Sequence, residues 1–191
     1  MKKILTLAIV VLAFGAQAQQ QAGDLSIQFS GNYVSNKTTF NGVEDKSYSG
    51  NVYLKIGKFF TQNIEMGLKP NIFFFGEPVP IRASDPSKTE NKLRANVGLG
   101  LYGTYSFLTA DAKFMPYGGA EINYLPIGDY STMNLGPYAG IKYFITERIN
   151  LDANMNYLIN LANSYPSFDD YVVSPTFQLN IGIGVIIGKT E

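Results

Sequence analysis

Eight stretches of this chain alternate apolar and polar residues with a period of two, and they leave no room for helices. That period sends successive side chains to opposite faces, so each stretch reads as a β-strand with one oily and one polar face. The expected strands lie near 24–35, 47–60, 64–75, 92–107, 114–124, 132–144, 149–160 and 173–188. The longest sets Leu93, Ala95, Val97, Leu99, Leu101, Tyr105 and Phe107 against Lys92, Arg94, Asn96, Gly98, Gly100, Tyr102 and Thr104. Short polar breaks join the runs, as in a series of hairpins.

The two faces differ sharply in charge. The apolar face carries one charged residue, Lys58, beside a break. The polar face carries Lys55, Glu65, Lys69, Lys92, Arg94, Glu121, Lys142 and Asp152. A soluble up-and-down barrel packs its oily face inside and wets the other. A transmembrane barrel turns the oily face to lipid and keeps the polar one in its lumen.

Side-chain types favour the second arrangement. The polar face is crowded with Gly, Asn, Ser and Tyr, which suit a confined interior, whereas a soluble exterior is denser in Lys and Glu. The apolar face runs for about ten residues per strand, the length a tilted transmembrane strand needs. Aromatics gather toward strand ends as interfacial girdles would: Tyr33, Phe59, Phe60, Phe74, Tyr105, Phe107, Phe114, Tyr124, Tyr143, Phe144 and Tyr157. The fold expected is all-β, an eight-stranded antiparallel up-and-down transmembrane β-barrel.

Breaks at 61–63, 108–113 and 146–148 are short, while 36–46, 76–91, 125–131 and 161–172 are longer and more polar. Short turns inside and long loops outside are the rule for outer-membrane barrels, which would put both termini in the periplasm. A near-duplicated phrase, KFFTQNIEMGL at 58–68 and KYFITERINLDA at 142–153, then reads as a periplasmic hairpin turn with interfacial aromatics on its flanks.

The first residues agree. Lys2 and Lys3 make a positive n-region, Ile4 to Phe14 a short apolar stretch, and Ala16-Gln17-Ala18 a cleavage site. Residues 1–18 are expected to be a cleaved signal peptide and 19–191 the barrel domain. The apolar stretch is too short for a transmembrane helix, which needs about 20 residues. Cys is absent, which removes disulfides and thiolate metal sites. Fifteen basic residues balance 15 acidic ones, arguing against a nucleic-acid partner.

With these features the chain resembles the small eight-stranded outer-membrane barrels of Gram-negative bacteria, typified by the barrel of outer membrane protein A and by outer membrane protein X. The turn wording and the run Met115-Pro116-Tyr117-Gly118-Gly119 look most like outer-membrane β-barrel domain proteins of Bacteroidota. The resemblance implies residence in the bacterial outer membrane among lipid and lipopolysaccharide. It also implies recognition by the barrel-insertion machinery through Asn180, Gly182, Val185 and Ile187, although the chain runs on to Lys189-Thr190-Glu191 instead of ending on an aromatic. A further partner could be another outer-membrane protein complex. No cell-wall tether is expected within the chain.

The candidate site is a polar network in the lumen: Lys55, Glu65, Lys69, Arg94, Glu121, Lys142 and Asp152. Tight turns at Gln62 and Glu147 make Lys142 and Asp152 cross-strand neighbours and set Lys55 opposite Lys69, a like-charge pair needing Glu65 or Glu121 nearby. An eight-stranded interior is just wide enough for side chains, so a plugged lumen with a structural or interaction role is expected. The alternative is a narrow porin-like channel for ions or small solutes.

Enzymatic activity is not expected: without His or Cys, Ser and Thr lack their usual bases. No cofactor or metal is expected either. Asp85, Glu90, Asp169 and Asp170 match no calcium-loop spacing. Gly98-Leu99-Gly100 and Gly182-Ile183-Gly184 lie within strands and read as relief of crowding, not nucleotide motifs. Tyr165, Phe168 and Tyr171 would expose aromatics on the 161–172 loop, as a partner or adhesion surface would.

Overall fold

A computed structural model describes residues 20–40, 43–82, 85–107, 113–127, 130–163 and 176–188. Eight strands close into one antiparallel barrel in sequence order: β1 (Leu25–Phe40), β2 (Val43–Phe59), β3 (Ile64–Arg82), β4 (Asp85–Ser106), β5 (Phe114–Ile127), β6 (Tyr130–Phe144), β7 (Ile149–Asn163) and β8 (Thr176–Ile187). Closure comes from β1 against β8, in register from Leu25↔Ile187 to Gly31↔Ile181. A closed ladder leaves no sheet edge, the condition for placing strands in lipid.

The side-chain orientation separates the two barrel types. Leu25, Ile27, Phe29, Leu68, Leu99, Leu101, Ile141 and Ile181 are all exposed on the outside. Lys55, Lys69, Glu121 and Asp152 are buried within. An oily exterior around a charged interior is the transmembrane form of the up-and-down barrel.

Strand ends differ from expectation at one end of the barrel. The segments 36–46, 76–91 and 125–131, read as loops, are largely strand: β1 and β2 pair out to Phe40↔Val43, β3 and β4 to Arg82↔Asp85, and β5 and β6 to Ile127↔Tyr130. Beyond lipid neither face needs to be apolar, so alternation fades while backbone pairing continues. β4 is 22 residues long, against the roughly 9–11 that cross a bilayer. The third and fourth strands therefore form a tall hairpin above the lipid-facing belt.

At the other end the duplicated phrase does form two matching turns. Ile145 N–H donates to Ile149 O at 2.8 Å, and Phe60 N–H to Ile64 O at 2.8 Å. In one turn the Thr61 hydroxyl accepts from the backbone N–H groups of Asn63 and Ile64; in the other Thr146 accepts from Arg148 and Ile149. Either Thr→Ala substitution should therefore destabilise the barrel modestly, by about 0.5–1.5 kcal/mol, measured by urea unfolding in lipid vesicles.

The phrases diverge in one respect. Two residues separate Lys58 from Thr61, and three separate Lys142 from Thr146, so the shift of one places Lys58 outside and Lys142 inside. Phe59 and Phe144, expected in the outer girdle, both point inward and are fully buried. With Met115 and Ile186 they form an apolar cluster inside the turn end. They share the inward parity of Lys55, Lys142, Tyr117 and Gly184, which overrides the preference of aromatics for interfaces.

Candidate functional site

Above the apolar cluster lies a layer of buried charge. Lys55, Lys69, Lys142, Glu65, Glu121 and Asp152, three cations and three carboxylates, are each 4 % exposed or less. Every one stands on the inward parity of its strand. Charges removed from water are tolerable only when paired and hydrogen-bonded, so the partners decide what this layer can do.

Glu65 on β3 ties four strands together. Its Oε1 accepts from the Ser26 hydroxyl of β1 and from Tyr102 OH of β4, the latter at 2.5 Å. Its Oε2 accepts from Lys142 Nζ of β6 at 3.0 Å. Glu121 on β5 is the second hub: Lys69 Nζ reaches its two oxygens at 2.8 and 2.9 Å, and Asn123 Nδ2 and Asn156 Nδ2 add bonds of 3.1 and 2.9 Å. Asp152 accepts from Tyr117 OH and from Asn154 Nδ2, each at 2.6 Å.

Lys55 is held differently. Its Nζ lies 4.2 Å from the ring centroid of Tyr138, 5.0 Å from Tyr102 and 5.8 Å from Tyr53. Among the described residues it makes no ion pair; the faces of three rings supply its negative potential. The register places it opposite Lys69, between the pairs Tyr53↔Asn71 and Ile56↔Leu68, as expected. Glu121 answers the Lys69 side of that pair. Lys142 and Asp152 are in-register neighbours, yet Lys142 bonds across the lumen to Glu65.

Tyrosines fill most of the remaining width. Tyr117 and Tyr138 meet edge to face with centroids 6.0 Å apart. Their rings occupy space that inward glycines vacate: a Cβ at Gly140 would lie 2.6 Å from Tyr117, and one at Gly119 2.6 Å from Tyr138. The glycines of the two Gly-x-Gly phrases act in the same way, Gly98 beside Asn71 and Gly184 beside Asn150.

Arg94 corrects the expected network. It is exposed on β4, paired with Phe75, at the tall-hairpin end instead of among the six buried charges. The strand is longer than the membrane belt, so its inward parity there faces the open mouth. Of the expected assembly residues, Asn180 is fully buried and Gly182 sits inward against Ser30, while Val185 and Ile187 face outward. Asn180 Nδ2 donates to Asn154 Oδ1 at 3.1 Å, and Asn32 Nδ2 donates to Asn180 Oδ1 at 2.7 Å, so an amide ladder continues the network outward. Residues 1–18, Tyr165, Phe168, Asp169, Asp170, Tyr171 and the terminal Lys189–Glu191 lie outside the described residues, as do the side chains of Asp85 and Glu90.

No family profile and no curated protein match the sequence. Among solved structures, the outer membrane protein OprG from Pseudomonas aeruginosa superposes with a TM-score of 0.57 at 17% identity, covering 92% of this chain and 100% of that one. This chain has the fold of a small outer-membrane β-barrel. The N-terminal barrel domain of Pseudomonas aeruginosa OprF (17% identity, TM-score 0.48, 88% of this chain and 100% of that one) and Neisserial surface protein A (16%, 0.47, 87% and 99%) also match. At such identities the likeness extends to the barrel architecture and not to the residues inside it. What this outer-membrane-type barrel does must be read from its own lumen.

Proposed function

We propose that this protein resides in the bacterial outer membrane as a barrel with a plugged lumen, in a structural or interaction role and not as an enzyme. In this reading residues 1–18 are removed on export, residues 19–191 make the barrel, and both termini face the periplasm. Lipid and lipopolysaccharide surround it. Asn180, Gly182, Val185 and Ile187 serve the insertion machinery, and an accessory place in a larger outer-membrane complex suits a barrel without chemistry of its own.

One observation carries the plug: the three cations and three carboxylates are almost fully buried and their groups link strands across the lumen. The apolar cluster of Phe59, Met115, Phe144 and Ile186 lies below them at the turn end. A path for ions needs charges that water reaches, whereas these charges are satisfied by one another and by tyrosines. Purified barrel in a planar bilayer should give no stable conductance steps. Reproducible steps would establish the narrow porin-like channel instead.

A further inference from the structure

The tall hairpin of β3 and β4 leaves one main-chain edge without a neighbouring strand. Ser106 N–H donates to Asn63 O on the β3 side and Phe107 N–H to Pro116 O on the β5 side, so even residues of β4 bond toward β3 and odd residues toward β5. Pairing with β5 ends at Leu99↔Tyr124. The next hydrogen-bonded pair would set Val97 against Pro126, which has no N–H to donate. β5 itself stops at Ile127, beside Asn96 in that register, whereas β4 runs on to Asp85 against β3. Among the described residues, no strand pairs with Thr89, Asn91, Leu93 or Ala95 on that side. The N–H and C=O groups of these four odd residues all point along the wall into the gap.

The other edge of the same hairpin is blunted. Even residues of β3 bond away from β4, and the β2 ladder lapses at Pro70, between Tyr53↔Asn71 and Ile56↔Leu68. Pro78 and Pro80 share that parity and withhold the same donors higher up. Proline on an exposed edge guards it against unwanted pairing, and β4 has none between Thr89 and Ala95. The lower end of the open edge also borders lipid. Leu93 and Val97 are 65% and 67% exposed on the outer wall, where water serves unpaired main-chain groups poorly.

We propose that this edge takes up an extended segment of another outer-membrane protein as an added antiparallel strand, continuing the ladder that β5 leaves at Leu99. Regularly spaced main-chain donors and acceptors are met by an extended chain, in the same geometry as the rest of the barrel. The segment's residues opposite Leu93 and Ala95 are apolar, prolonging the oily wall, and those between them are polar. A second copy of this barrel fits poorly. Two barrels in one membrane, related by a two-fold axis along this edge, have opposite outward directions. Leu93 and Ala95 of one would then flank Lys92 and Arg94 of the other, oily beside charged. The proposal rests on the accessory role in an outer-membrane complex for the source of its partner, but not on the plug.

The test titrates the detergent-solubilised full barrel with the fluorescein-labelled peptide Lys-Val-Thr-Val-Ser-Val-Thr-Val-Lys, read by fluorescence anisotropy. The peptide should bind saturably. N-methylation of its two central valines, whose N–H groups face β4 in the proposed phase, should weaken binding at least about tenfold. N-methylation of two threonines, whose N–H groups face away, should change it by less than about threefold. Ala95→Pro and Asn91→Pro each delete one N–H on the open side and none toward β3. Both should fold, by circular dichroism, and bind about tenfold more weakly. Absence of saturable binding, equal losses from the two N-methylated peptides, or unchanged affinity in folded proline variants overturns the proposal. The peptide pair decides the matter even where a proline variant misfolds. Self-association of the barrel without peptide, seen by analytical ultracentrifugation and abolished by Ala95→Pro, gives the edge to a second copy and overturns the assigned partner. Peptide binding intact in a protein that fractionates away from the outer membrane would defeat the location alone, and conductance with binding intact the plug alone.

Discussion

Replacing Glu121 with Gln should cost the barrel about 3–5 kcal/mol of stability, the range found when one partner of a buried ion pair is removed. The substitution keeps shape and the capacity to accept from Asn123 and Asn156. It removes the charge that both Lys69 contacts depend on, and Lys55 stands opposite Lys69 with tyrosine rings beside its ammonium and, among the described residues, no ion pair of its own. Two buried cations then face each other across a neutral amide. The additional change Lys69→Met should restore much of the loss, because the interior again holds equal numbers of opposite charges. Urea unfolding of the parent and the two variants in lipid vesicles measures this. If Glu121→Gln unfolds with the parent, water screens these charges and the dry plug is wrong.

The second large effect lies on the outer wall. Leu101 is 55% exposed and pairs with Leu68 and Ile122 in the middle of the oily belt. Leu101→Arg should destabilise the barrel by about 2–4 kcal/mol, the depth-dependent cost of a cation at the bilayer midplane. Leu93 is also an exposed leucine of β4, but it pairs with Gly76 on the tall hairpin. Leu93→Arg should cost only about 0–1 kcal/mol, as near an interface. The contrast between the two sites is the measurement: equal, small costs would mean that water and not lipid meets Leu101.

Much of this molecule was legible in alternation. The parity of Leu99, Leu101 and Ile181 against Lys55, Lys69 and Asp152 follows from the period of two, which no tertiary contact can change without slipping the register. The cross-strand relation of Lys142 to Asp152 was readable because a tight turn sets pairing arithmetically. Arg94 shows where that logic stops. Its parity is inward, but the height of a residue relative to the membrane depends on how far each strand extends, and polar sequence beyond lipid carries no signal of its end. Phe59 and Phe144 depart from the interfacial preference of aromatics because position outranks residue type, and inward neighbours such as Lys142, two residues from Phe144, mark their face.

From the chain alone came the barrel, its strand count and which side of the sheet bears charge, since each depends on local periodicity and on contacts between successive hairpins. Tertiary structure alone decided the partners: Lys142 with Glu65, Lys69 with Glu121, and Lys55 with three tyrosines. Partners across a lumen are separated by several strands. Their meeting depends on closure, strand stagger and the space left by glycines, quantities that no stretch of sequence expresses by itself.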